Sequence, residues 1–226
     1  MFSFQAYEKG KKMKYKYLFW GTAAVIMLKT CGTFSAPKPA IVPGPSQWTL
    51  NVIYTQPQQI TVKVPGERKP QRFWYIIATV TNISNIDVPF YPSCELMTDT
   101  FQVIAAYKDT RNVVSDKIKE RHKKKYPFLE SLEFAENKIL QGEDNTKDLA
   151  IIWPDFDPKA KEIRLFLAGL SNETAVIEHP TKKDPNGNPE KIYLRKTLEL
   201  QYSIGGDPNL RNNAVLTFKG QRWIMR

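Results

Sequence analysis

Nucleophilic and acid–base chemistry draws on few side-chain types, and this chain holds few of them. It has two histidines, His122 and His179, and two cysteines, Cys31 and Cys94. His122 lies inside a lysine-rich run, and His179 precedes Pro180 at the end of a strand-like segment. A catalytic triad needs a nucleophile, a base and an orienting acid, yet no G-x-S-x-G accompanies the histidines. Cys94 falls in a strand pattern and reads as a small buried residue. The sequence also lacks a Walker loop, a G-x-G-x-x-G turn, an H-E-x-x-H helix and a paired C-x-x-C. It therefore points to no catalytic residue, no metal and no cofactor.

Acidic residues offer the next possibility. Asp184-Pro185-Asn186-Gly187-Asn188-Pro189-Glu190 sets oxygen ligands at alternate positions, as a calcium loop does. Its glycine stands fourth rather than sixth, and Arg195 takes the place of the twelfth-position acid. A hairpin turn through Asn186-Gly187 accounts for the same residues by their tolerance of positive φ. Glu143, Asp144 and Asp148 form one further acidic cluster, and Asp155 with Asp157 another. Paired glycosidase carboxylates are one reading of these, and solvated loops the simpler one. The sequons Asn82-Ile83-Ser84 and Asn172-Glu173-Thr174 read as turns unless the host glycosylates.

Basic and aromatic residues give the binding candidates. Lys117, Lys119, Arg121, Lys123, Lys124 and Lys125 form the strongest charge run after residue 36. Such a run can dock on phosphates, acidic lipid or an acidic protein face, or be a solvated helix face. Apart from Tyr126 it lacks the interleaved aromatics that stack on bases, so nucleic acid is not an expected partner. Trp153 and Trp223 are the candidates for stacking on sugar faces, with core packing as their alternative role.

The elements that must position these residues begin after an unusual N-terminus. Five lysines between Lys9 and Lys16 precede the twelve-residue run Tyr17–Leu28 (YLFWGTAAVIML). That run is short of the ~20 residues of a spanning helix and suits a secretory signal peptide, with Thr33 and Ser35 before a cleavage point at Ala36. An uncleaved signal anchor and a lipid on Cys31 remain open alternatives. Residues 1–35 hold six lysines against Glu8, half of the formal net charge of +10. The domain boundaries are then 1–35 for the signal peptide or anchor, 36–46 for a proline-rich linker and 47–226 for the folded body.

Within 47–226, period-two patterns predict strands. They run through Trp48–Tyr54, Ile60–Val64, Arg72–Asn82, Leu149–Trp153, Ile163–Ala168, Ala175–Ile177, Ile192–Ile204, Ala214–Phe218 and Trp223–Met225. Residues 72–82 are apolar on both faces, the mark of a central strand. Pro89 and Pro92 place Val88–Tyr91 and Cys94–Met97 at an edge, and Phe101, Val103 and Ala105 form another strand. Residues 192–204 read as a long strand with one buried face, broken at Lys196, and one open face carrying Tyr193, Arg195, Thr197, Glu199, Gln201 and Ser203. Ser115 caps a helical insertion over Asp116–Tyr126 that ends at Pro127, with Phe128, Leu132 and Phe134 packing beyond it. The expected fold is all-β: an antiparallel immunoglobulin-like β-sandwich with a short helical insertion and an N-terminal hydrophobic helix.

The segments FWYIIATVTN (73–82), PSCELMTD (92–99), QGED (141–144), AIIWPDFDP (150–158), FLAGLSN (166–172), LRKT (194–197) and the final WIMR resemble a family of uncharacterised exported bacterial proteins with an immunoglobulin-like β-sandwich. The resemblance implies export to the periplasm or cell envelope and a single domain, and brings no catalytic residue. The functional expectation is a non-catalytic interaction or scaffolding module, in its most specific form an accessory or assembly subunit of an envelope complex. It would meet protein partners, and the membrane only through a retained N-terminal segment. The alternative is a carbohydrate- or cell-wall-binding module. Candidate binding residues are Lys119, Arg121, Lys123, Lys124, Lys125, Trp153 and Trp223.

Overall fold

Alternating apolar residues, many of them β-branched or aromatic, commit most of the chain to strands. The computed structural model describes residues 40–41, 47–107, 112–135, 137–207 and 214–226. The apolar run 17–28, Cys31 and most of the 36–46 linker lie outside the described residues. Among those described, no helix is long and apolar enough to cross a membrane.

In chain order the first strands are β1 (Ala40–Ile41), β2 (Asn51–Tyr54), β3 (Gln58–Val62), β4 (Gln71–Asn82), β5 (Val88–Pro89), β6 (Ser93–Thr98) and β7 (Val103–Ala105). Helix α1 (Asn112–His122), β8 (Glu130–Ser131), a 3-10 turn at Leu132–Phe134 and β9 (Lys138–Ile139) follow. The remaining strands are β10 (Gly142–Pro154), β11 (Glu162–Ala168), β12 (Thr174–Lys183), β13 (Pro189–Gly205) and β14 (Val215–Met225).

A five-stranded sheet runs β2-β4-β10-β8, with β3 pairing β4 beside β2. A seven-stranded sheet runs β1-β12-β13-β11-β6-β7, with β14 on β13. Strands β11 and β12 pair with successive halves of β13, and β5 with β9 forms a separate ribbon.

The alternation of β4 fixes the layering. Trp74, Ile76, Ala78 and Val80 join Leu149, Ile151 and Trp153 of β10 in a core that also holds Leu96, Ile163, Leu165, Leu198, Leu200 and Tyr202 of the larger sheet. Phe73, Tyr75 and Ile77 point the other way, into a second core with Ile60, Val62, Ala150, Ile152 and, from α1, Val114 and Ile118. The apolar character of both β4 faces thus has two causes, a facing sheet and a covering helix. Each such side chain contributes about 1.5–3 kcal/mol on full burial. The all-β expectation holds at the level of two packed sheets.

Several finer expectations do not hold. β6 is an inner strand between β11 and β7, because Pro92 stops just short of it. The phase of β7 is reversed: Ile104 is buried while Phe101 and Val103 are exposed, and Phe101 sits in a turn at φ 63. Helix α1 starts three residues before Ser115, which it buries together with Val114 and Ile118. An i, i+4 apolar pair outweighs a single polar residue with capping chemistry. The helix ends at His122, so Lys123, Lys124 and Lys125 follow it, in a turn where the Lys125 and Tyr126 amides donate to His122 O. Phe128 and Phe134 are exposed, and Leu129 and Leu132 are the residues buried there.

The open face of 192–204 is open only toward the start of β13, since Thr197 and Glu199 are 3% and 1% exposed. Asn82 of the first sequon is buried, its amide donating to Ile86 O and Ile139 O, so it works as a turn.

Candidate functional site

The flank of the smaller sheet gathers the basic candidates. Arg121 Nη1 donates to Gln59 O at 3.0 Å, so the Gln59 carbonyl points away from β4. Antiparallel alternation then turns the Thr61 backbone groups the same way. Among the described residues β3 pairs with β4 alone, and no other described group bonds the Thr61 backbone. Val113, Lys117, Glu120 and Arg121, on one stripe of α1, wall this edge. Together with Ile60, Thr61, Val62 and Lys63 they enclose a groove of about 410 Å³. Its floor is aliphatic and its rim holds Lys63, Lys117 and Arg121 against Glu120 alone.

The helix is held to the sheet by more than its apolar stripe. The Tyr75 hydroxyl donates to Gln58 Oε1 at 3.0 Å and meets His122 Nε2 at 2.9 Å, while Arg121 Nη1 donates to it at 3.3 Å. Burial, with Arg121 and Lys125 beside it, pushes the His122 imidazole below its ordinary value. That shift favours the neutral imidazole, which braces α1 against the Tyr75 hydroxyl. Lys117 and Glu120 pair at 2.7 Å, which raises the lysine and lowers the carboxyl. Lys119 is half-buried, Arg121 and Lys123–Lys125 are exposed, and the Lys125 ammonium lies 5.0 Å from the Tyr126 ring centre.

A second groove, of about 370 Å³, lies where the larger sheet meets the chain before β2. Trp48, Pro89, Tyr91, Gly169, Ser171, Asn172, Thr174 and Arg195 line it. Hydrogen bonds tie its walls together. Trp48 N donates to Asn172 Oδ1, and Trp48 O accepts from Asn172 N and Ser171 Oγ. Gly169 has φ 83, and a Cβ there would come within 2.4 Å of Tyr91 O, so only glycine lets this loop seat against Tyr91.

Next to it, the parity break at Lys196 is resolved: its ammonium meets Glu173 at 2.5 Å and lies 5.2 Å from the Trp223 ring centre. Hydrogen bonding from Lys196, opposed by burial and reinforced by Thr49, lowers the Glu173 carboxyl.

The other sequence candidates separate. Trp153 is 1% exposed, which leaves no ring face for a sugar. Trp223 is 38% exposed and shares its ring with Lys196. Asp155 accepts from Trp74 Nε1 at 2.8 Å, and Asp157 accepts from the Lys159 amide at 2.9 Å. Asp148 accepts from Thr79, while Glu143 and Asp144 are exposed. Asp184 accepts from the Asn186 and Asn188 amides at 2.9 Å, which makes this loop a turn; of the Asn186–Gly187 pair Gly187 alone takes positive φ, at 86. His179 Nδ1 accepts from the Thr181 and Lys182 amides. Cys94 is buried and free, its thiol pushed up by burial and by Glu95. Among the described residues, no three His, Cys, Asp or Glu side chains are grouped to hold a metal.

Of the basic candidates the structure brings Arg121 into the groove, with Lys119 and Lys123–Lys125 on the same helix and the turn after it. Sequence reading missed Thr61, Lys63 and Val113, whose proximity to α1 has no local signal. It also missed Trp48 and Tyr91. No family model, no curated protein and no solved structure matches the chain.

Proposed function

We propose that the protein is a non-catalytic interaction module of the cell envelope that holds an acidic region of a protein partner on the basic flank formed by α1 and β3. One observation carries this reading. Cations from Lys63, Lys117, Arg121 and Lys123–Lys125 lie on and beside a helix anchored by Val114, Ile118 and His122. The exposed acids of that helix are Asp116 and Glu120, and Glu120 is engaged with Lys117. Like charges held on a rigid element steer and orient an acidic partner.

Export by the N-terminal segment, the immunoglobulin-like type of the sandwich and kinship with exported bacterial proteins belong to the same proposal. A scaffolding or accessory subunit needs such a surface and no assembled reacting groups. The engaged carboxylates Asp148, Asp155 and Asp157 support that view.

The test is fluorescence anisotropy of a labelled oligoglutamate peptide with the full chain. Binding should weaken about tenfold when Lys123, Lys124 and Lys125 become Glu, and weaken as salt rises through the range where the Debye length shrinks below ~10 Å. Salt-independent binding, or binding unaffected by the substitutions, contradicts the proposal.

A second reading, the saccharide-binding module, is favoured by the Trp48–Tyr91 groove. Trp48 is half-buried, Tyr91 is 67% exposed, and Arg195 with Asn172 and Thr174 supplies polar partners. An aromatic face held by fixed backbone is suited to stack on a sugar ring. Oligosaccharide binding lost in Tyr91→Ala, with the fold intact, would establish it. If tri- and tetrasaccharides of neutral and carboxylated sugars all fail to bind, this reading falls.

A further inference from the structure

Resting on the reading of the α1–β3 flank as a docking surface, the geometry points to strand addition: an extended acidic segment of a partner protein adds to the open edge of β3. A surface that attracts a partner by charge alone has no need of the features found here. Strand addition needs three things: outward main-chain donors and acceptors, a wall that accepts alternate side chains, and charge matching the incoming segment.

The first is set by register. The Gln59–Trp74 and Thr61–Arg72 pairs alternate with Gln58–Tyr75, Ile60–Phe73 and Val62–Gln71. Since the Gln59 carbonyl faces Arg121, the N–H and C=O of Thr61, two residues on in the same strand, face the groove as well. The Ile60 and Val62 side chains, each 6% exposed, turn into the second core.

The second is the α1 stripe. Val113 offers an apolar contact, and Lys117 and Arg121 stand one and two turns further along the same stripe. Side chains on one face of an added strand would meet this wall, while those on the other face would meet solvent.

The third is the sign of the rim, three cations against Glu120. Arg121 now occupies the Gln59 carbonyl. It closes one end of the edge against indiscriminate pairing, in the way natural edges are guarded by charge. An incoming acid beside Gln59 would draw the guanidinium from a neutral carbonyl to a carboxylate, a stronger acceptor.

The experiment compares two peptides on the full chain: a short peptide of alternating Glu and Val, and the same peptide N-methylated at alternate residues. N-methylation keeps charge and side chains but removes the donors that an added strand contributes. Binding is measured by anisotropy and by amide hydrogen exchange. The plain peptide should bind about tenfold more tightly than the methylated one and slow exchange at Thr61. Thr61→Pro, an edge proline whose lost N–H points outward, should weaken the plain peptide by a similar factor with an unchanged melting temperature.

Equal binding of the two peptides overturns strand addition and leaves the basic surface standing. Absence of binding by either overturns the docking surface together with it. Should Thr61→Pro unfold, the two-peptide comparison decides the matter by itself.

Discussion

Two charged surfaces of this protein use similar residues to opposite ends. On the outer face of the larger sheet, Glu95, Phe166, Glu199 and Arg222 stand in register across β6, β11, β13 and β14. Glu199 accepts from Arg222 and from Gln201, with Arg164 at 3.7 Å. Arg226 pairs with Glu95 at 2.7 Å and lies 4.1 Å from the Phe166 ring centre. Burial pushes the Glu199 carboxyl up, but Arg222, Gln201 and Arg164 together outweigh it and hold the group below its ordinary value.

On the α1 flank the cations outnumber the acids, and the engaged Lys117–Glu120 pair is exposed. Charge closed within the fold supports the sheet and cancels its own field. Charge left open costs little stability and is available to a partner.

Breaking the closed surface should have the largest effect. Glu199→Ala leaves Arg222 and Arg164 without their shared carboxylate and should lower stability by about 2–3 kcal/mol in urea unfolding. A loss under about 0.5 kcal/mol, the range of ordinary surface substitutions, would make that face no different from α1.

Acid should separate the two surfaces next. The folded-state value of His122 lies below its ordinary 6.5, so the unfolded chain takes up a proton first. Its contribution is present above 6.5 and fades as pH falls through the lower folded value. Glu173 and Glu199 also lie below their ordinary 4.5. Their contributions are present above 4.5 and are lost only as pH falls through their depressed values. Hydrogen exchange across α1 should therefore accelerate at a higher pH than exchange across β13 and β14, and His122→Gln should remove that first step. Simultaneous loosening of both regions would contradict the assignment.

The smallest effect on stability belongs to the open surface. Replacing Lys123, Lys124 and Lys125 by Ser should change unfolding by less than about 0.5 kcal/mol. The same variant should lose a measurable share of acidic-peptide binding in anisotropy.

The sequence made one of these surfaces legible and hid the other. The lysine run announced the α1 flank, because six cations within nine residues, 117–125, form a local signal. Ser115 has capping chemistry and points to a later helix start, while the Val114–Ile118 pair that decides the register gains its meaning only from the sheet beneath. The groove was hidden because Thr61 and Lys63 are brought beside Lys117 by tertiary packing.

The parity of β13 gave its buried face at Leu198–Ile204 and the exception at Lys196, which Glu173 now explains. The same parity marked Glu199 as open, because nothing local reveals two arginines arriving from β11 and β14. Strand cores were readable from period two. Which strand was inner, as with β6, depended on partners distant in sequence.

The central claim is that the α1–β3 flank, and not another face, receives an acidic extended segment. Amide chemical-shift mapping of the full chain titrated with the alternating Glu–Val peptide tests it most directly. The account predicts shifts confined to residues 59–63 and 113–125. Shifts centred on Trp48, Tyr91 and Arg195, or on the outer face around Glu199, would contradict it.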